Sequence, residues 1–450
     1  MRRLFGTDGV RGVANDFLSC ERALEIGRAL GTVLSRRRRY KTKVIIGMDT
    51  RISSRMLCAA LAAGVCSVGG EVINAGVIPT PAIAHLVKKH GYTAGVMISA
   101  SHNSFEYNGI KIFGTNGFKL SDELEERIES IVLDEDAHPA MAEPERIGNI
   151  LDSHTAKDEY IAHLSSAMTT DLTGMRIGID CANGAASATA ERLFTSFGAE
   201  CTIINASPNG VNINDKCGST YLEGLKRLVV ENGLDLGVAF DGDADRCLLV
   251  DEEGNEIDGD FIMAIIAQHM KRDGKLVKNT VVGTVMTNLG FKKFCEREGI
   301  GFIAAKVGDR YVLEMMNQEG YVFGGEQSGH IIFRDHSTTG DGQLTALMLL
   351  SEVKRSGKRL SELAAIMKKY PQFVVNIEAN AEEKLAFFTN REIATLISEA
   401  EKNIGDGRVV VRPSGTEPKI RVMLEGEDAV LTESIAKELA ERIKEKLKEI

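Results

Sequence analysis

Ser101 lies in Gly95-Val-Met-Ile-Ser-Ala-Ser-His-Asn-Ser-Phe-Glu-Tyr-Asn-Gly-Ile-Lys111, where a short apolar stretch gives way to hydroxyls, an imidazole, an amide and a lysine. Ser99 and Ser101 are candidate nucleophiles, with His102 and Lys111 as acid/base partners. A plain Ser/Asn turn has the same composition, so the run alone does not decide. A second run does. Apolar Leu236–Phe240 leads straight into Asp241-Gly-Asp-Ala-Asp-Arg246. Asp241, Asp243 and Asp245 alternate, and carboxylates this close repel unless a cation neutralises them. Oxygen donors around a glycine-containing turn suit Mg²⁺. An EF-hand is excluded, because no exiting helix pattern follows the loop that starts at Asp241.

Two further loops supply recognition chemistry. Phe323-Gly-Gly-Glu-Gln-Ser-Gly-His330 presents Glu326, Ser328 and His330 between glycines that admit close backbone approach. Val411-Arg-Pro-Ser-Gly-Thr-Glu-Pro-Lys-Ile-Arg421 gathers Arg412, Ser414, Gly415, Thr416 and Arg421, the composition of a phosphate cradle.

Each loop must be held by regular structure, and the patterns supply it. Apolar spacing predicts helices over 21–34, 56–68 and 82–89, alternating with strands at 44–48, 72–73 and 95–99. The second stretch reads as strands at 176–180, 201–204 and 236–240, with helices at 187–197 and 222–231. The third has helices at 261–270 and 311–318 and strands at 280–285, 301–305 and 321–323. A single helix is expected from Leu344 to Lys369, and Asp134 to His154 reads as a linker. The tail predicts strands at 373–377, 409–411 and 420–424 and helices at 391–402 and 429–448. Strand–helix alternation implies mixed sheets, with ligands at strand carboxyl ends. The expected fold is α/β: three related α/β mixed-sheet domains (1–155, 156–256, 257–370) plus a C-terminal α+β domain (371–450).

Bulk properties narrow the partners. A chain of 450 residues exceeds one core, and its net charge of −10 argues against nucleic acid. Arg36 to Arg39 reads as a solvated helix end. Eight scattered cysteines without metal spacing read as buried free thiols in a reducing compartment. With no apolar run of membrane length and no leader pattern at the start, a cytoplasmic location without membrane contact is expected.

The four loops, with the opening Phe5-Gly-Thr-Asp-Gly-Val-Arg-Gly12, resemble those of the α-D-phosphohexomutases, in order and over nearly the whole chain. The resemblance implies four domains, each giving one loop to a central cleft. It implies a phosphate carried on Ser101, and one Mg²⁺ held by Asp241, Asp243, Asp245 and the Ser101 phosphate. Arg246 would face the phosphoryl group, with Lys111 and His330 in proton transfer. Arg11 would lie near the active site. Glu326 and Ser328 would bind sugar hydroxyls, and the Arg412–Arg421 loop would bind the non-transferring phosphate. Lys306, in Lys306-Val-Gly-Asp309, is a further substrate contact, with a plain surface turn equally compatible. Ser104 and Ala244 depart from the common pattern of proline and glycine without removing a chemical group.

A mutase of this kind donates its phosphate to give a sugar bisphosphate and takes back the other. A sugar 1,6-bisphosphate would act as activator, and a homodimer is the implied assembly. The loop at 326–342 and the opening motif look like the family's glucosamine branch. That implies interconversion of glucosamine 6-phosphate and glucosamine 1-phosphate, upstream of UDP-N-acetylglucosamine and cell-wall precursors. Alternatives are a mannose- or glucose-phosphate mutase, a metal-dependent sugar-phosphate phosphatase with Asp241 as nucleophile, and a non-enzymatic sugar-phosphate sensor.

Overall fold

The computed structural model describes residues 4–6, 8–35, 41–134, 139–414 and 418–448. Four sheets follow one another along the chain. The first has the order Val10–Val13, Tyr107–Gly114, Ala94–Ile98, Lys43–Met48, Glu71–Val77, Ile150–Asp152. Its last four strands named are parallel, and Tyr107–Gly114 is antiparallel to both its neighbours. The second runs Glu256–Ile257, Cys247–Asp251, Leu236–Phe240, Arg176–Asp180, Glu200–Ile204. The third runs Gly301–Ala305, Thr280–Thr284, Phe323–Gly325, Ile331–Phe333. The fourth is wholly antiparallel: Gln372–Glu378, Lys419–Glu425, Arg408–Pro413.

One device recurs. In each of the first three sheets a parallel strand turns back into an antiparallel neighbour: Ala94–Ile98 into Tyr107–Gly114, Leu236–Phe240 into Cys247–Asp251, Phe323–Gly325 into Ile331–Phe333. The connecting residues are the three loops singled out by their chemistry. The fourth loop joins Arg408–Pro413 to Lys419–Glu425 in the same way. A hairpin fixes both ends of its loop to a ladder, so the side chains between are held in place.

Ala94–Ile98 and Leu236–Phe240 are buried at every position, as parallel strands covered on both faces must be. A single apolar cluster runs through the first three sheets, with Met97, Phe113, Ile179, Phe240, Val281 and Phe323 among its members. The opposite face of the first sheet packs on helices Cys20–Ser35 and Ile52–Ser67. The last sheet and helix Ala429–Lys448 form a separate cluster.

Among the features that differ from the sequence reading, three have a plain local cause. The helix expected from Leu344 to Lys369 ends at Ser356, because Gly357 takes the left-handed conformation (φ +65°) that closes a helix, and Leu360–Ala364 follows as a short second piece. The expected linker contains Ile150–Asp152, which pairs in parallel with Glu71–Val77 because that strand offers an open edge. Helix Ala381–Thr389 is additional; its signal was Asn380 with Glu383, a reciprocal capping box. All eight cysteines are free, six buried and Cys20 and Cys201 half-buried. Arg36 to Arg39 lies outside the described residues.

Nothing lies within 4 Å of a Cβ built on Gly357, so Gly357→Ala tests conformation alone. The left-handed backbone costs alanine about 1–2 kcal/mol, offset by about 0.4–1 kcal/mol from a stiffer unfolded chain. A net loss of roughly 1 kcal/mol in denaturant titration is expected, with Gly357→Asn losing less.

Candidate active site

The Ser99–Glu106 loop is buried where it carries chemistry. Ser101 is 1% exposed and left-handed (φ +53°). Its hydroxyl donates to Asp241 Oδ2 at 2.6 Å and lies 3.3 Å from His102 Nδ1. Ser99 Oγ instead accepts the Ser101 N–H at 2.9 Å. One serine is occupied with backbone; the other faces the carboxylates.

Asp241, Asp243 and Asp245 are each 5% exposed or less. Asp241 Oδ1 accepts the Arg246 N–H at 3.2 Å. Asp243 Oδ2 receives Thr80 Oγ1 at 2.5 Å and Lys111 Nζ at 2.8 Å, and Asp245 Oδ2 receives Lys111 at 3.1 Å. The other oxygens, Asp243 Oδ1 and Asp245 Oδ1, are buried without a hydrogen-bond partner. One oxygen from each of the three carboxylates lies within 4.8 Å of the others. Leaving such oxygens unmet costs about 1–3 kcal/mol each, more when charged. This donor set fits a hard divalent cation.

Electrostatics agree. Burial, then the charges of Asp245 and Asp243, push the Asp241 carboxyl well above its ordinary range. Burial would raise Asp245 also, but Lys111, His330 and Arg246 outweigh it and hold Asp245 well below. The same cluster thus favours a proton on one member and none on another, the signature of a site short of positive charge.

Lys111 was expected in the loop but sits inside strand Tyr107–Gly114, at 1% exposure. Burial disfavours its charge, yet Asp243, Asp245 and Asp8 prevail and raise it well above an ordinary lysine. Asp8 stands 3.3 Å from Lys111, accepts from Lys119 at 2.6 Å and is paired with Arg11. Lys119 also reaches Asp309 at 2.6 Å. Asp309 lies 3.5 Å from His330 Nε2, and His330 Nδ1 is 3.7 Å from Asp245. These residues close a ring of alternating charge through all three sheets' loops. His330 Nε2 accepts the Gly340 N–H at 2.9 Å, which places the neutral ring's proton on Nδ1, toward Asp245. A Cβ on Gly340 would stand 2.5 Å from that ring. Burial lowers the His330 pKa, but Asp245, Asp309 and Glu326 outweigh it and raise it.

Glu326 accepts the Gly308 N–H at 3.0 Å, tying its own loop to the 306–309 loop; burial and Asp309 raise its pKa. Ser328 is half-buried, and Lys306 is exposed beside the Tyr311 ring. Arg412 and Arg421 stand opposite each other across their ladder. Burial and the Arg421 charge lower the Arg412 pKa. Like charges face to face in a ladder are destabilising, and an anion between them relieves that. Ser414 N–H donates to the Lys419 carbonyl at 2.7 Å. Gly415 and Thr416 lie outside the described residues. Asp8, Lys119, Thr80 and Asp309 were not singled out in the sequence as site residues; Asp8 stood in the opening motif, whereas Lys119 has no local pattern to mark it.

Residues 2–139, 158–254, 258–370 and 350–442 match the phosphoglucomutase/phosphomannomutase α/β/α domains I, II and III and C-terminal domain, respectively. The chain belongs to this family, the α-D-phosphohexomutases. It is 52% identical over 448 residues to a phosphoglucosamine mutase of Acetivibrio thermocellus, covering 99% of this chain and 100% of the relative. A phosphoglucosamine mutase of Clostridium tetani is 52% identical over 449 residues, covering 100% of both. Among solved structures, a phosphoglucomutase/phosphomannomutase family protein of Burkholderia thailandensis superposes with a TM-score of 0.83 at 21% identity, over 100% of this chain and 98% of that one. The N-acetylphosphoglucosamine mutase of Aspergillus fumigatus, in complex with GlcNAc-6P and magnesium, gives 0.71 at 18% identity, over 99% and 96%.

Asp243→Asn tests the cation assignment. Changing groups one shell outside a metal costs about 10–100-fold in affinity, so losing this carboxylate should cost at least that. Calorimetric titration with Mg²⁺, and Mn²⁺ spectroscopy as a second readout, check it. Unchanged affinity would remove Asp243 from the ligand set.

Proposed function

We infer that the chain is an isomerase with phosphoglucosamine mutase activity, interconverting glucosamine 6-phosphate and glucosamine 1-phosphate. The observation that carries the mechanism is the Ser101 hydroxyl on Asp241, beside two buried carboxylate oxygens with no partner. In the proposed cycle a sugar hydroxyl attacks the phosphate on Ser101. The P–O bond to Oγ breaks, the sugar keeps the phosphoryl group, the hydroxyl proton passes to a base, and the freed Oγ takes up a proton to become the hydroxyl again. The bisphosphate reorients, and Ser101 Oγ takes the other phosphate by the reverse step. Asp241, Asp243, Asp245 and a phosphate oxygen on Ser101 would hold Mg²⁺, which when bound spreads the charge of the transferring oxygens.

The chain's own residues do the rest. Arg246, its charge reinforced by Asp241 and Asp245 against burial, faces the phosphoryl group. Lys111, one group proposed for proton transfer, remains an ammonium among three carboxylates, which suits it to neutralising charge. His330, wired to Asp245 and Asp309, is the second group proposed for proton transfer. Glu326 and Ser328 orient the sugar hydroxyls, and Arg412, Ser414, Gly415, Thr416 and Arg421 hold the distal phosphate. Arg11 acts through Asp8, its ion-pair partner beside Lys111. Lys306 borders the sugar loop. The same reading carries the domain spans 1–155, 156–256, 257–370 and 371–450, a sugar 1,6-bisphosphate that rephosphorylates Ser101, a cytoplasmic homodimer, and a place before UDP-N-acetylglucosamine synthesis. Among the described residues no helix is long and apolar enough to cross a membrane.

The phosphatase alternative is disfavoured by Asp241. Both its oxygens are engaged, one by the Ser101 hydroxyl and one by the Arg246 N–H.

Intact mass with peptide mapping, after incubation with glucose 1,6-bisphosphate, should place phosphate on Ser101 in the wild type and none in Ser101→Ala. The variant should also lose coupled mutase activity. Steady release of inorganic phosphate by Ser101→Ala would favour the phosphatase. Arg412→Ala should raise KM about 10–100-fold, the loss of one or two charge-assisted hydrogen bonds, with Ser101 phosphorylation retained.

A further inference from the structure

The run Asp49-Thr-Arg-Ile-Ser-Ser54 ends a parallel strand but takes no part in the chemistry above. Its Arg51 has a fully buried side chain. Nε donates to Asp49 Oδ2 at 2.9 Å, and Asp49 is itself fixed by Ser54 Oγ at 2.6 Å and the Arg51 N–H at 3.0 Å. The rest of the guanidinium goes to one loop. Nη2 donates to the carbonyls of Ser101 at 2.9 Å and Asn103 at 2.8 Å, and Nη1 donates to that of Ser104.

A second donor arrives from the next sheet's loops. Asn214 Nδ2 donates to the same two carbonyls, Ser101 at 2.9 Å and Asn103 at 3.0 Å. Because both neighbours are acceptors, the amide orientation is fixed. Each carbonyl thus has both lone pairs filled, one from each side of the seam. Gly242 of the acidic loop packs beneath, where a Cβ would stand 2.4 Å from the Ser101 carbonyl. The peptide unit is planar and trans, so fixing the Ser101 C=O turns the His102 N–H to the opposite side. The clamp thereby sets the left-handed Ser101 backbone from which Oγ reaches Asp241.

A buried arginine is often a structural ion pair. Here one carboxylate anchors the guanidinium, and its other described partners are all carbonyls of the loop carrying Ser101. Arginine's rigid fork suits this and lysine's point charge does not. We propose that Arg51 and Asn214 are positioning residues that hold the Ser101 peptide for phosphoryl transfer and contribute little to sugar-phosphate binding. This also accounts for Ser104: the loop uses its backbone carbonyl, so its side chain is free to vary.

The proposal rests on Ser101 as the phosphoryl carrier, so wild-type phosphorylation by glucose 1,6-bisphosphate is measured first. If the wild type takes up no phosphate on Ser101, the mutase reading fails and this inference with it. Given uptake, Arg51→Lys and Asn214→Gly are compared with it; glycine accepts the φ of +58° that Asn214 adopts. Both should lower kcat about 10–100-fold with KM within about twofold, and slow Ser101 phosphorylation in parallel. Wild-type kcat and phosphorylation in Asn214→Gly would overturn the proposal, even were Arg51→Lys too unstable to assay. So would a rise in KM at unchanged kcat, or an Arg51→Lys as inactive as Arg51→Ala with both losses explained by a lowered thermal midpoint.

Discussion

Burying three carboxylates within five residues is the constraint on which the rest of the site depends. Removing each ion from water costs several kcal/mol after relaxation, recovered only through well-placed opposite charge. The loop holds one cation of its own, Arg246. Lys111 must come from the first sheet and His330 from the third, so the acidic loop is neutralised only where three units meet. The split between a raised Asp241 and a depressed Asp245 shows how far the protein's own charges go. The two unpartnered oxygens mark where they stop.

The wider ring carries the same logic outward. Asp8 and Asp309 answer Lys111, Lys119 and His330, and the Lys119–Asp309 pair ties the first unit to the third. Their shared apolar cluster makes the first three units one body. The fourth has its own core and meets the third through polar contacts around Glu425. Glu425 accepts from Asn288 Nδ2 at 3.1 Å, the Leu289 N–H at 3.1 Å and Gln372 Nε2 at 2.8 Å. Asn288 also takes both backbone groups of Tyr370, each at 3.0 Å.

Much of this was legible in the sequence, for physical reasons. Buried parallel strands must be apolar, and chemistry-bearing residues cluster at their ends, so Leu236–Phe240 with Asp241 to Asp245 announced itself. The return strands did not. Cys247–Asp251 and Tyr107–Gly114 carry a cysteine, an aspartate, an asparagine and Lys111, which dilute any strand pattern. Lys111 therefore read as loop although it is held in a ladder. Arg51 was invisible because its partners are carbonyls, which sequence does not record. Ala244 read as a mild departure from glycine; it is in fact left-handed (φ +56°) and fully buried, a strained position the loop tolerates without loss of a ligand.

The division of labour follows from what a mutase must do. The two half-reactions present opposite ends of one sugar to the same phosphoryl carrier, so the carrier and its charge field should be indifferent to which end arrives. Ser101, the carboxylates, Lys111 and His330 satisfy that by standing on the rigid three-unit body, where the sugar's remainder has no say in their geometry. Recognition of the distal phosphate has the opposite requirement, since that phosphate sits differently in each orientation. In the proposed cycle Arg412 and Arg421 would meet it from a unit with its own core. Two guanidiniums facing each other across a ladder offer forked donors over an arc rather than a single pose. Rigidity at the reacting atom and latitude at the far end are therefore built from the same hairpin device, differing only in which core the hairpin belongs to.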